Sequence, residues 1–214
     1  MTETKALALF DFDGTMIRGD SIVAYVGFAR RKGLLSFFGY VKTWGAALRY
    51  IMGKTTAEES KTRALAFRQK LNGKERDALD RAFVQEALLP RIYPQAKACL
   101  EKHRQEGKIT LLVTASTDNY MRYVSEALGF DGLLASPMDE QGRVRGNCKG
   151  EEKVKRIQKW LISNNIQPDY AASFAYGDSK SDLPMLRLAG HPVQVNPKKK
   201  LKKAAPDMDA VSWG

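Results

Sequence analysis

Cysteine is scarce in this chain, and acidic residues are outnumbered. The two cysteines among 214 residues, Cys99 and Cys148, form neither a CxxC pair nor a zinc-ligand spacing. They read as free thiols of a reducing compartment rather than as a disulfide. No uninterrupted apolar stretch reaches the roughly 18 residues that a bilayer span requires, which excludes a transmembrane helix. The chain passes almost at once from Met1 into an apolar run, so no signal peptide is expected and the default location is the cytoplasm. Aspartate and glutamate number 24 against 35 lysines and arginines, giving a formal net charge of +11. That balance attracts nucleic acid, anionic lipid or anionic small molecules. No aromatic interleaving and no zinc or RNA-binding motif accompanies it, so nucleic acid is not an expected partner. The densest basic run, residues 198–203, reads as a solvated helix face with no part in small-substrate chemistry. A length of 214 residues suffices for one large domain, or for a core with a smaller insert.

What is present begins at residue 6. The apolar run Ala6-Leu7-Ala8-Leu9-Phe10 reads as a buried strand, and Asp11-Phe12-Asp13-Gly14-Thr15 follows it. On a continuing strand, residues i and i+2 share a face, so Asp11 and Asp13 would repel. A divalent cation resolves the conflict, and carboxylate oxygens suit Mg²⁺. A second apolar strand, Ile109 to Val113, runs into Thr114-Ala115-Ser116. Lys149 stands in Gly146-Asn147-Cys148-Lys149-Gly150-Glu151. A third strand, Ser173 to Tyr176, ends in Gly177-Asp178-Ser179-Lys180-Ser181-Asp182, with carboxylates at i and i+4.

Between the first two strands the sequence shows no strand-like segment. Helical spacing predicts helices over 20–31, over 34–52 with breaks at Gly39 and Gly45, over 56–69 and over 73–88. Thr56 and Glu59 have capping-box spacing. Pro90 and Pro94 mark a boundary. Beyond it, helices over 95–106, 118–128, 151–164 and 181–188 alternate with strands over 109–113, 133–136, 173–176 and 192–195. A hairpin is expected around Gln141-Gly142. Alternation of this kind predicts an α/β fold, a Rossmann-like parallel sheet with helices on both faces. Strand C-termini then line one edge and bring Asp11, Thr114 and Asp178 together.

These four segments, in this order, resemble motifs I to IV of the haloacid dehalogenase (HAD) superfamily of phosphohydrolases, over residues 6 to about 195. The helical stretch resembles the small inserted cap of subclass I, and the order of elements resembles subfamily IB, the phosphoserine phosphatase-like and phosphatidylglycerophosphatase C-like members. The resemblance implies a core of residues 1–17 and 91–214 with an all-helical cap of 18–90. It implies that Asp11 attacks phosphorus to form an aspartyl-phosphate, and that Asp13 serves as general acid and then general base. Asp13 then requires a pKa raised relative to that of Asp11. Mg²⁺ is implied, with Asp11, the Asp13 backbone carbonyl and Asp178 as ligands and Asp182 orienting a bound water or the lysine. Thr114 and the Ala115 N–H would hold phosphoryl oxygens, with Ser116 beside them, and Lys149 would neutralise Asp11 and the phosphate. The family's dehalogenases lack the second aspartate, so dehalogenation is not expected.

Substrate is less legible. Asp20 lies nine residues after Asp11, where phosphoserine phosphatases bind the substrate amine, but it equally reads as a helix N-cap. Arg63 is the candidate for a substrate carboxylate. Gly14 and Thr114-Ala115-Ser116 depart from the phosphoserine phosphatase pattern, which usually has Ser and Ser-Gly-Gly. The segment 34–52 is apolar and aromatic, flanked by Arg30, Arg31, Lys32 and Lys54. It reads as a core helix of the cap or a dimer face, or else as an element lying in a membrane interface. The expected activity is thus Mg²⁺-dependent hydrolysis of a small amino or alcohol phosphate of the phosphoserine or histidinol phosphate type. A lipid phosphate such as phosphatidylglycerophosphate, reached through peripheral contact with an anionic membrane, is the alternative. A phosphotransferase would use the same residues, and a non-catalytic phosphate-binding protein is the reading from another class.

Overall fold

The computed structural model describes residues 4–214. Six parallel strands form one sheet: β1 (Thr4–Phe10), β2 (Ile109–Thr117), β3 (Gly132–Ser136), β4 (Gln167–Gly177), β5 (His191–Val195) and β6 (Asp209–Val211). Their order is β3-β2-β1-β4-β5-β6. The continuous apolar runs of β1 and β2 follow from burial on both faces, the usual state of a parallel sheet. Successive residues point to opposite sides. Ala8, Phe10 and Leu112 join one core with Leu100, Tyr120 and Val124. Leu7, Leu9, Leu111 and Val113 join the other with Ile157, Leu161 and Leu186.

Four helices follow β1 ahead of Pro90 and Pro94: α1 (Ser21–Arg31), α2 (Phe37–Ile51), α3 (Ala57–Ala64) and α4 (Gly73–Phe83). The expected helix over 56–69 stops at Ala64 and tightens into a 3₁₀ segment, Ala66–Lys70, which turns Phe67 and Arg68 inward. The helix over 73–88 finishes as a π-turn, Val84–Leu88, that buries Val84, Ala87 and Leu88. The expected breaks in α2 do not occur. Ser36 caps the helix, accepting from the Gly39 N–H at 3.1 Å, and Gly45 lies in open space. Nor is α2 a core helix, because Ala46 alone on it is buried.

The remaining helices are α5 (Pro94–Gln105), α6 (Asp118–Leu128), α7 (Glu151–Ser163), α8 (Leu183–Leu188) and α9 (Lys199–Ala204). The expected hairpin is present as an antiparallel bridge between Met138 and Val144. β6 and the shortness of α9 were not legible, since three exposed residues and a lysine run carry little periodic signal. Among the described residues no helix is long and apolar enough to cross a membrane.

A buried ion pair lies within the helical insert, and its acid is bonded to a helix packed on the sheet. Arg68 donates to both oxygens of Asp80, at 3.2 and 2.5 Å. Asp80 also accepts from the Asn119 amide of α6 at 2.8 Å and from the Tyr25 hydroxyl of α1. Removing one partner leaves the other charge buried and uncompensated, which costs about 3–5 kcal/mol. Asp80→Ala is therefore expected to lower the melting temperature by roughly 8 °C or more. A thermal unfolding curve within about 2 °C of wild type would show that the pair does not hold the insert in place.

Candidate active site

The C-terminal ends of β1, β2 and β4 converge, as the parallel topology requires. The Asp11 N–H still donates to the Tyr176 carbonyl at 3.0 Å, so β1 and β4 remain paired where the first carboxylate leaves the sheet. The chain then turns sharply: the N–H groups of Thr15 and Met16 both donate to the Phe12 carbonyl, at 3.2 and 2.9 Å. Gly14 takes φ +82°, and a Cβ there would lie 2.1 Å from Asp178 Oδ2. The glycine lets the Asp178 carboxylate approach the loop.

The lysine held against Asp11 is Lys153, not Lys149. Its Nζ lies 2.6 Å from Asp11 Oδ1 and 2.7 Å from Asp182 Oδ1, with all three side chains buried. Lys149 precedes α7 and lines the cavity mouth instead. A helical signal for Lys153 existed: it stands four and eight residues before Ile157 and Leu161, heading the buried stripe of α7. The far end of Asp182 accepts from the Ser179 N–H at 3.0 Å and the Ser179 hydroxyl at 2.6 Å. Burial pushes Asp182 up, but Lys153 and Ser179 together hold its carboxyl below the usual range. Burial likewise works against the Lys153 charge, yet Asp11 and Asp182 hold its ammonium above the ordinary value.

Asp13 points away from this cluster. Its Oδ1 accepts from the Ser21 N–H at 2.7 Å and its Oδ2 from the Ser116 hydroxyl at 2.5 Å. The Ser21 hydroxyl lies 2.8 Å from both the Ser116 hydroxyl and the Tyr120 hydroxyl. Ser116 is therefore a partner of Asp13 and not an open phosphate ligand. Burial, with the Asp20 charge next, pushes the Asp13 carboxyl up to about 6, which makes its protonated form accessible near neutrality. Asp11 is pushed higher, to about 7, by burial and then by the charge of Asp182. This reverses the expected order, because Asp11 shares its site with two further carboxylates while Asp13 is surrounded by hydroxyls.

The other expected residues divide. Thr114 is fully buried and its hydroxyl oxygen accepts from the Ser116 N–H at 3.0 Å, so it braces the loop from below. Ala115 lines a cavity of about 310 Å³, shared with Asp11, Asp13, Lys153 and Asp178. Asp20 caps α1, accepting from the Val23 N–H at 3.0 Å, and also lines the cavity. Arg63 is exposed and lies outside the cavity. The cation that α3 supplies is Lys61, whose Nζ donates to Asn147 Oδ1 at 2.6 Å and to the Ala115 carbonyl. Burial lowers it to about 8. Sequence reasoning missed it because its register on α3 can be set only once α3 is docked. Lys198 also departs from the expectation of a solvated run. Its Nζ lies 2.6 Å from Asp178 Oδ2, and its N–H donates to the Asp178 carbonyl at 2.8 Å.

Oxygens of Asp11, Asp178 and Asp182 lie within 4.8 Å of one another, a donor set that fits a hard divalent cation. Asp11 has its oxygens engaged by Lys153 and Thr15, and Asp182 by Lys153 and Ser179, while Asp178 is paired through Oδ2 with Lys198. An ion would therefore share Asp11 and Asp178 with these partners and leave Asp182 to hold Lys153. The Asp13 carboxylate is turned to the serines.

The family model for haloacid dehalogenase-like hydrolases matches residues 8–187. The chain belongs to this family. It is 29% identical over 210 residues to a histidinol-phosphatase of Neisseria meningitidis serogroup C, covering 94% of this chain and 95% of that one. It is 33% identical over 202 residues to protein CicA of Caulobacter vibrioides, covering 88% and 85%. Among solved structures, a protein of unknown function from Bordetella pertussis Tohama I superposes with a TM-score of 0.88 at 26% identity, over 98% of this chain and 99% of that one. HAD membership makes the chain a hydrolase with an α/β core.

Two outcomes follow from the geometry. Lys153→Ala is expected to lower turnover by at least about a hundredfold, because Asp11 and Asp182 then meet unscreened, while Lys149→Ala costs less than about tenfold; steady-state rates on folded variants decide, and equal losses would return the role to Lys149. Asp13 has a folded pKa above its unfolded one, so its charge destabilises the fold, and that loss sets in as pH rises from about 4 to about 6. Asp13→Asn should thus be more stable than wild type at pH 7.5, by up to about 3 kcal/mol. The gain should fade towards pH 4, as read from urea unfolding at the two pH values.

Proposed function

We propose that this HAD hydrolase cleaves phosphate monoesters of small amine-bearing alcohols through an aspartyl-phosphate on Asp11. The observation that carries the reading is the pairing of Asp11, held by Lys153, with an Asp13 poised to exchange a proton near neutral pH.

In this reading Asp11 Oδ2, which accepts from the Thr15 hydroxyl at 3.0 Å, attacks phosphorus, and an Asp11–phosphorus bond forms as the ester bond breaks. Lys153 holds the other oxygen of Asp11 and offsets the accumulating negative charge. The leaving alkoxide takes its proton from Asp13. Asp13, now a carboxylate steadied by Ser21 and Ser116, accepts a proton from the water that attacks the acyl phosphate. That step releases inorganic phosphate and restores both aspartates. Mg²⁺ held by Asp11 and Asp178 would neutralise charge on the phosphoryl oxygens, and it would draw the pKa of the Asp11 carboxyl below that of Asp13, so that Asp11 is the ionised nucleophile and Asp13 the acid.

The cavity lining supports this substrate class. Asp20, on the cavity lining, offers a carboxylate to an ammonium, and Val23, Trp44 and Ala47 provide an apolar wall. Arg63, the candidate for a substrate carboxylate, faces elsewhere, and Lys61 is engaged by Asn147 and Ala115. These features favour a phosphate of the histidinol phosphate type over phosphoserine, in keeping with the name of the Neisseria relative.

The test is phosphate release from histidinol phosphate and phosphoserine, with Mg²⁺ or with EDTA. Turnover is expected with Mg²⁺, preferring histidinol phosphate, with loss in EDTA and a drop of at least about a thousandfold in Asp11→Asn. Retained activity in Asp11→Asn would remove the nucleophile assignment, and a preference for phosphoserine would remove the substrate assignment.

A further inference from the structure

The helix α2 presents a surface that the catalytic reading leaves unexplained. Phe37, Val41, Trp44, Leu48, Ile51 and Met52 recur at three- and four-residue steps and share one side of the helix, with Phe38 beside them. That side is opposite the buried Ala46. Phe38 is 77% exposed, Ile51 78% and Phe37 61%, values unusual for large apolar side chains gathered in one place. The opposite flank contributes Thr43, Ala47 and Tyr50 to the cavity, so the exposed stripe borders the entrance to the active site.

The charge around this stripe has one sign. From Ser21 to Ala57 the chain contains no aspartate or glutamate, but it carries Arg30, Arg31, Lys32, Lys42, Arg49 and Lys54. Arg30 sits over the rings of Phe37 and Tyr40 at 5.5 and 5.4 Å, at the N-terminal end of the stripe. Lys42 and Arg49, seven residues apart, run along one edge, and Lys54 lies past the C-terminal end. Lys32 is paired with Glu86 at 3.0 Å. A short amphipathic helix with an apolar stripe, basic edges and no acid matches the chemistry of an anionic bilayer surface. At 15 residues it cannot span, and it would lie along the interface. A second copy of the chain fits poorly, because each copy would bring the same uncompensated positive charges to the contact.

We propose that the exposed face of α2 docks the protein onto anionic lipid bilayers, with its apolar stripe in the acyl boundary and its basic edges against the headgroups. Docking would seat the mouth of the active site at the lipid surface. The proposal does not depend on which phosphate ester is hydrolysed.

The test uses the full chain and vesicles of phosphatidylcholine, alone or mixed with phosphatidylglycerol, read by co-sedimentation. Binding to the mixed vesicles is expected to exceed binding to the neutral ones by about tenfold or more, and to weaken with added salt. Phe38→Ser with Ile51→Ser, and separately Lys42→Glu with Arg49→Glu, should each cut binding by about tenfold or more. None of these four residues lines the cavity, so turnover of a soluble ester should stay within about twofold of wild type. Circular dichroism confirms that the variants are folded. Absent binding, equal binding to both vesicle types, or unchanged binding by the variants would overturn the proposal. So would a dimer in light scattering that the Phe38→Ser, Ile51→Ser variant dissolves while vesicles bind nothing, which would make a second copy the occupant. Because vesicle binding is scored without turnover, an inactive but lipid-bound protein would count against the hydrolase assignment alone.

Discussion

Three carboxylates, Asp11, Asp178 and Asp182, are confined where parallel strands end, and the active end of the molecule is organised around containing their mutual repulsion. Lys153 bridges Asp11 and Asp182 from within the core, and Lys198 reaches Asp178 from the surface. An unpaired carboxylate at that depth would be costly, so each cation is as much a condition of folding as of chemistry. The loop after β1 closes against Asp178 only because Gly14 has no side chain.

The helical insert takes part in this arrangement and does more than roof the site. Ser21 of α1 holds Asp13 through its N–H and bonds Ser116 through its hydroxyl. Lys61 of α3 spans from the insert to Ala115 and Asn147. The Arg68–Asp80 pair, with Tyr25 and Asn119, locks the far side. The proton state of Asp13 therefore depends on the docking of α1, since two of its three hydroxyl-network partners belong to the sheet side and one to the insert. A cavity built across such a seam can be reshaped by changes in the insert while the carboxylate cluster stays intact.

The legible part of the site was the part written in contiguous residues. Asp11, Asp13, Asp178 and Asp182 follow apolar strands at short, fixed offsets, so a parallel sheet was enough to bring their backbones together. Asp20 was legible for the same reason, nine residues beyond Asp11. Lys153 was misread as Lys149 because the choice depends on where α7 begins and which of its faces meets the sheet. Arg63 is the cap arginine that the family resemblance singles out, whereas the docking of α3 turns Lys61 inward and leaves Arg63 in solvent. Lys198 looked like one member of a solvated run until the backbone after β5 placed it against Asp178. The exposure of α2 was open in the same way: its apolar spacing is identical whether it faces a core, a partner or a bilayer.

The sequence by itself determined the class of fold, the order of the strands' functional ends and the identity of the acidic residues, because strand burial and short-range offsets are local properties. The tertiary structure decided which cations answer those acids, which hydroxyls tune Asp13 and which face of α2 is left uncovered. Those depend on helix rotation and long-range docking, where a shift of one residue turns a side chain by about 100° and moves it from core to solvent.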